Sequence, residues 1–293
     1  MPTDAKMIRT VGIIARPRRE DISRVVPPLI AWLRAHGAKV VCDTETGECI
    51  GALAGETLRR EDLPGCADLL IVLGGDGTLL SAARLSASQK VPILAVNLGG
   101  LGFLTTVSLD ELYPILEEIF SNQFRVSERV MLVAEIIRAG NVIRRQIALN
   151  DAVLNKAALA RIMDLELHVD GEYVTTYKAD GLILSTPTGS TAYSLAAGGP
   201  IVYPAVEAFV ITPICPHTLT NRPLVVPDSA RIEIGFRSED DAVFLTFDGQ
   251  VGIELAKNDT IQISKAPEKL FLVRPSKKTY FEILRSKLKW GER

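Results

Sequence analysis

No apolar run in this 293-residue chain approaches the roughly 20 residues that a membrane-spanning helix requires. The opening Met1-Pro2-Thr3-Asp4-Ala5-Lys6 also lacks the basic and apolar regions of a secretory signal, so a cytoplasmic protein without a membrane partner is expected. Cysteine is scarce: Cys42, Cys49, Cys66 and Cys215 form no Cys-x-x-Cys pair, and His36, His168 and His217 lie far apart. These spacings give no zinc motif, and reduced thiols are the expected state. An excess of one charge is missing too, with 33 basic against 35 acidic residues and a formal net charge of -2. The basic pairs Arg18-Arg19, Arg59-Arg60, Arg144-Arg145 and Lys277-Lys278 are scattered without an aromatic platform, which argues against a nucleic-acid partner. Internal repeats and low-complexity segments are absent.

Core material is ample, at 47% hydrophobic residues and a mean hydropathy of +0.19. The first half alternates strand-like and helix-like stretches, as an open, mainly parallel α/β sheet requires. Strands are expected at Val11–Ala15, Lys39–Cys42, Leu69–Leu73 and Ile93–Asn97, with helices over Ile22–Arg34 and Leu109–Phe120 and a helix start near Leu79. After about Ser127 the texture changes to short alternating runs: Val130–Ile137, Val142–Leu149, Leu165–Val169, Arg231–Ile234 and Val243–Phe247. Ala139-Gly140-Asn141, Asp170-Gly171 and Asp248-Gly249 supply turns between them, so this half is expected to be mainly antiparallel β. The expected domains are an α/β domain over 1–126, a β-rich domain over 127–274 and a C-terminal tail over 275–293. Tyr280–Trp290 has helical apolar spacing and is expected to pack back on the first domain.

Chemistry concentrates in two stretches. Gly74-Gly75-Asp76-Gly77-Thr78 joins the apolar strand at 69–73 to a helix. Glycines allow close backbone approach and a helix N-terminus attracts phosphate, so a carboxylate placed there would repel the anion unless it takes a proton or holds a metal. A phosphate cradle with a built-in acid suits phosphoryl transfer to an alcohol. The second stretch, Lys178 to Pro200, is a buried-looking strand flanked by polar, Gly-rich ends. Its Ser and Thr hydroxyls, from Ser185 to Ser194, can meet a polar ligand or their own backbone, and a tight structural turn is the commoner outcome.

Taken together and in order, Gly74–Thr78, Leu101-Gly102-Phe103-Leu104, Asn150-Asp151, Lys178–Pro200, Pro216–Pro223 and Asp248-Gly249-Gln250 resemble the bacterial NAD kinases over nearly the whole chain. Gly-Gly-Asp-Gly-Thr alone is shared with diacylglycerol and sphingosine kinases; the later motifs make the resemblance specific. It implies transfer of a phosphoryl group from ATP or polyphosphate to the 2′-hydroxyl of the adenosine ribose of NAD, with a divalent metal, Mg²⁺ by default, whose ligands are unknown. Asp76 matches the proposed proton acceptor, with metal ligation through water and helix capping as its alternative roles. Gly74, Gly75, Gly77 and Thr78 form the phosphate loop, with Gly77 also beside NAD. The NAD-binding positions implied are Asp76, Gly77, Asn150, Asp151, Arg161, Lys178, Asp180, Thr191, Ala192, Tyr193, Ser194, Leu195, Ala196 and Gln250. Arg161 and Lys178 are assigned to phosphate or a neighbouring subunit, because a cation beside oxidised nicotinamide is unfavourable. The resemblance further implies a homodimer or homotetramer. Two other functions compete: a lipid kinase, which needs an apolar acceptor cleft, and a non-catalytic NAD(P)-binding regulator, which can dispense with the acid at 76.

Overall fold

The computed structural model describes residues 8–15, 19–100, 102–156, 162–218, 220–237, 242–274 and 278–291. The chain divides into two compact units, Met1–Glu128 with Leu270–Arg293, and Arg129–Lys269. In the first, β1 (Thr10–Ala15), α1 (Arg19–Ala35), β2 (Lys39–Asp43), α2 (Thr44–Ile50), β3 (Glu56–Leu58), α3 (Leu63–Cys66), β4 (Leu69–Leu73), α4 (Asp76–Ser86), β5 (Ile93–Asn97), β6 (Val107–Ser108) and α5 (Leu109–Phe120) follow one another. The strands pair in parallel in the order β3-β2-β1-β4-β5. Parallel strands need crossover connections, and helices covering the sheet bury it, so β4 and β5 are buried at every residue. That is why Leu69–Leu73 reads as an unbroken apolar run. Ile13, Ile71 and Leu73 pack with Val26, Leu29, Leu33 and Leu116 in one core.

The chain moves outward from β1 to β2 and β3, then returns to lay β4 on the other side of β1. Open α/β sheets bind ligands beyond the carboxyl ends of strands at such a reversal. The Gly74-Gly75 turn follows β4 there. Helix α4 opens at Asp76, three residues before the expected start, because the Gly75 carbonyl already accepts bonds from the amides of Thr78 (3.0 Å) and Leu79 (3.3 Å).

β7 (Arg125–Arg138) leads into the second unit, followed by β8 (Asn141–Ala148), β9 (Asp151–Lys156), β10 (Met163–Val169), β11 (Glu172–Ala179), β12 (Gly181–Ser185), the single turn α6 (Tyr193–Ala196), β13 (Ala208–Ile214), β14 (Leu224–Pro227), β15 (Ile232–Arg237), β16 (Val243–Phe247) and β17 (Val251–Leu255). β18 (Thr260–Arg274) runs on into residues of the first unit, where α7 (Tyr280–Leu288) ends the fold. One antiparallel sheet has the order β14-β13-β12-β9-β16-β17; another antiparallel set runs β11-β10-β15-β18, with β7 pairing β8 and β18. β10 and β16 alternate buried and part-exposed residues, as strands with one covered face do. Leu165, Leu167, Leu154, Leu182, Phe209, Leu245 and Phe247 share the core. The expected turns have positive φ at both central residues, as at Asp170 (52°) and Asp248 (51°) with the glycine after each, which matches the twist of a tight hairpin. Among the described residues, no helix is long and apolar enough to cross a membrane.

Candidate active site

Asp76 is held by a second loop of the same unit. Its Oδ1 accepts the amides of Leu104 (3.2 Å) and Thr105 (3.0 Å) and the Thr105 hydroxyl (2.9 Å), whereas among the described residues Oδ2 accepts only the Phe103 amide (3.0 Å). Asn97, at the end of β5, fixes the loop in turn: its Nδ2 donates to Thr105 Oγ1 (2.8 Å) and its Oδ1 accepts the Gly99 amide (2.6 Å). A Cβ at Gly102 would be driven into the Asp76 carboxylate and the Thr105 hydroxyl, so only glycine lets this loop close on the acid. Asp76 is therefore oriented rigidly with one oxygen lightly engaged, at the mouth of a turn where a helix begins. Gly75 and Gly77 on either side are exposed, while Thr78 is buried against Gly74.

The second unit has a pocket of about 380 Å³ lined by Asn150, Asp151, Val153, Asn155, Ala192, Tyr193, Thr246, Asp248 and Gly249. The β16–β17 turn folds its Asp248 carboxylate back onto the start of β9, where it accepts the amides of Leu149 (3.2 Å), Asn150 (2.7 Å) and Asp151 (3.3 Å). Among the described residues, Asn150 Oδ1 is buried without a hydrogen-bond partner, and so is Thr188 Oγ1 in the neighbouring turn. Orphaned buried acceptors of this kind are costly unless a ligand satisfies them. Burial, reinforced by the Asp248 charge, pushes the Asp151 carboxyl up to about 7.

This burial couples Asp151 to stability. The folded value lies above the ordinary carboxyl value of 3.8, so the acid's stabilising contribution is complete below about pH 3.8 and is lost as pH rises through about 7. Against an Asp151→Asn variant, the wild type should lose on the order of 4 kcal/mol between those limits. Thermal melts at pH 5 and pH 8 check this: the variant's advantage in Tm should widen by several degrees at the higher pH, and a constant gap would rule the coupling out.

The hydroxyl-rich stretch is mostly self-satisfied. Ser185, Thr186, Ser190 and Thr191 donate to nearby backbone carbonyls, and the fully buried Ser194 bonds Thr212 Oγ1 (2.9 Å). Asn150, Asp151, Ala192 and Tyr193 are brought together around the pocket, and Tyr193 is 46% exposed. The lining does not include Lys178, Asp180, Thr191, Ser194, Leu195, Ala196 or Gln250. Lys178, Asp180, Ala196 and Gln250 are exposed, and Arg161 lies outside the described residues. Asn97, Thr105, Thr188 and Asp248 were not among the expected site residues. Asp248 lay within a recognised motif as a turn residue, whereas the partners of Asn97 and Thr105 are set by the fold.

Comparison with known proteins follows the same division of the chain. The ATP-NAD kinase N-terminal domain matches residues 11–124, and the ATP-NAD kinase C-terminal domain matches residues 149–275. The chain is 50% identical over 287 residues to the NAD kinase of Solibacter usitatus, covering 98% of this chain and 99% of that one. It is 51% identical over 286 residues to the NAD kinase of Geobacter sulfurreducens, covering 98% and 100%. Among solved structures, yeast NADH kinase complexed with NADH is similar at a TM-score of 0.90 and 29% identity, over 98% of this chain and 89% of that one. An NAD kinase from Archaeoglobus fulgidus in complex with ATP shares the fold at a TM-score of 0.76 and 24% identity, over 96% and 98%.

Proposed function

The chain belongs to the NAD kinase family, and from that premise we propose how its residues carry out the reaction. The protein is a kinase that transfers a phosphoryl group from ATP to the 2′-hydroxyl of the adenosine ribose of NAD, giving NADP. The Asp76 carboxylate carries the proposal: four donors fix it, and Oδ2, with a single bond, has room to accept the hydroxyl proton. A carboxylate is a weak base for a free alcohol and an adequate acceptor once the forming P–O bond makes that proton acidic. Gly74, Gly75, Gly77 and Thr78 offer the phosphates the backbone of a helix start. In the second unit, Asn150 and Asp151 would bond polar groups of the dinucleotide, with the unsatisfied Asn150 Oδ1 as one acceptor. Ala192 and Tyr193 would give its rings a surface to lie on, and Thr191, Ser194, Leu195, Ala196 and Gln250 would frame that surface. Asp180, Lys178 and Arg161 are assigned to the periphery of the dinucleotide or to a neighbouring subunit.

A divalent ion fits this arrangement as a companion of the nucleotide. Mg²⁺ keeps most of its water, so it would be held by the phosphates and would meet Asp76 through its water shell, leaving the lightly bonded Oδ2 for the proton. When bound, the ion neutralises charge on the transferring phosphoryl group. Polyphosphate as a second donor, a cytoplasmic setting and assembly into a homodimer or homotetramer complete the proposal. Exposed Tyr173 and Val174 on β11, at the edge of its sheet, support self-association.

Incubation of the purified protein with NAD, ATP and Mg²⁺, read by an NADP-specific dehydrogenase, tests the assignment. NADP is the expected product. NAD binding without turnover would favour the regulator, and turnover on a lipid alcohol alone would favour the lipid kinase.

A further inference from the structure

We propose that the C-terminal segment from Lys278 to Leu288 positions Asp76, acting through the loop at 103–106 with Lys278 as its anchor. The proposal rests on Asp76 being the proton acceptor. Lys278 Nζ donates to the Thr106 carbonyl (3.2 Å) and to Glu111 Oε2 (2.6 Å). Glu111 Oε2 also takes the amide and the hydroxyl of Ser108, both at 2.9 Å, so the cap of α5 and the tail share one carboxylate oxygen. Burial would raise the Glu111 carboxyl, yet the bonds from Lys278 and Ser108 outweigh it and hold the group below its ordinary value. Nine residues further on, Lys287 Nζ lies 5.7 Å from the centre of the Phe103 ring, a cation–π contact. The amide of that same Phe103 is, among the described residues, the single donor to Asp76 Oδ2.

The loop is thus gripped twice. Residues 103–105 give their amides to Asp76, while Phe103 and Thr106 are tied to the tail. The tail is itself well made: Thr279 and Glu282 form a reciprocal capping box, with the Thr279 amide donating to Glu282 (2.7 Å) and the Glu282 amide to Thr279 Oγ1 (3.3 Å). The contacts described for Lys278 and Lys287 go to Thr106, Glu111 and Phe103, so both act on Asp76 as positioning residues. A shift of about 1 Å in a reacting group can cost on the order of 10²-fold in rate, which makes such a brace matter.

Lys278→Met should lower kcat about tenfold while the KM values for NAD and ATP change less than about twofold. Lys278→Arg, which keeps the charge and donors, should restore most of the rate. The deciding measurement is a double-mutant cycle. In an Asp76→Asn background Lys278→Met should cost almost nothing further, because it acts through the missing group. Equal losses in both backgrounds, or an unchanged kcat in the single variant, would overturn the proposal. If Lys278→Met melts several degrees lower, Lys287→Ala takes its place in the same cycle. An Asp76→Asn enzyme with full activity would instead remove the premise.

Discussion

Asp76→Asn is expected to lower kcat by roughly 10²-fold or more, with binding of NAD largely retained. Asparagine keeps the shape of the side chain, and its carbonyl can still accept the amides of Leu104 and Thr105 and the Thr105 hydroxyl. Its amide nitrogen then replaces Oδ2 and faces the Phe103 amide, donor against donor, and it has no lone pair for a proton. NADP formation followed with a coupled dehydrogenase gives the rate, and calorimetric titration with NAD gives the binding. A loss below about tenfold would sink the role as proton acceptor. Raising Mg²⁺ should not recover the rate; recovery would move Asp76 to holding the ion's water shell instead.

The other large effect belongs to Gly189. A Cβ there would come within 2.5 Å of the Asn150 carbonyl carbon and 2.6 Å of its Cα, with the carbonyl oxygen closer still. That backbone cannot yield cheaply. The Asn150 carbonyl accepts the Thr186 amide (2.9 Å), and the Asn150 amide donates to Asp248 (2.7 Å). Gly189→Ala is therefore expected to cost about 3 kcal/mol or more of stability, at the upper end for overpacking. It should also raise the KM for NAD at least tenfold, because the displaced residues line the pocket. Thermal melts and initial rates over a range of NAD check both, and a variant matching the wild type in both would contradict the close approach.

Much of the framework was legible before any coordinates. Unbroken apolar runs marked β4 and β5 because a parallel strand is covered on both faces, and alternation marked β10 and β16 because one face is not. Asp170-Gly171 and Asp248-Gly249 marked hairpins because both adopt positive φ. The acid in the glycine turn was legible as chemistry for the same local reason. What the sequence hid was who satisfies whom. Asp76 is oriented by residues 27 to 29 positions away, and Asp248 reaches back 97 to 99 positions. Nothing local distinguishes a serine that bonds its own turn from one that meets a ligand. Ser185, Ser190 and Thr191 do the former, Thr186 and Ser194 reach distant strands instead, and among the described residues of that group only Thr188 has a buried hydroxyl oxygen without a partner.

Both carboxylates, Asp76 and Asp248, hold three consecutive main-chain amides apiece. The grip is on peptide nitrogen, so at 103–105 and 149–151 one replacement is excluded whatever the side chains there do. Proline has no N–H to give. At any of those six positions a single imino acid would untie one strand of the knot, even where its ring filled the same space.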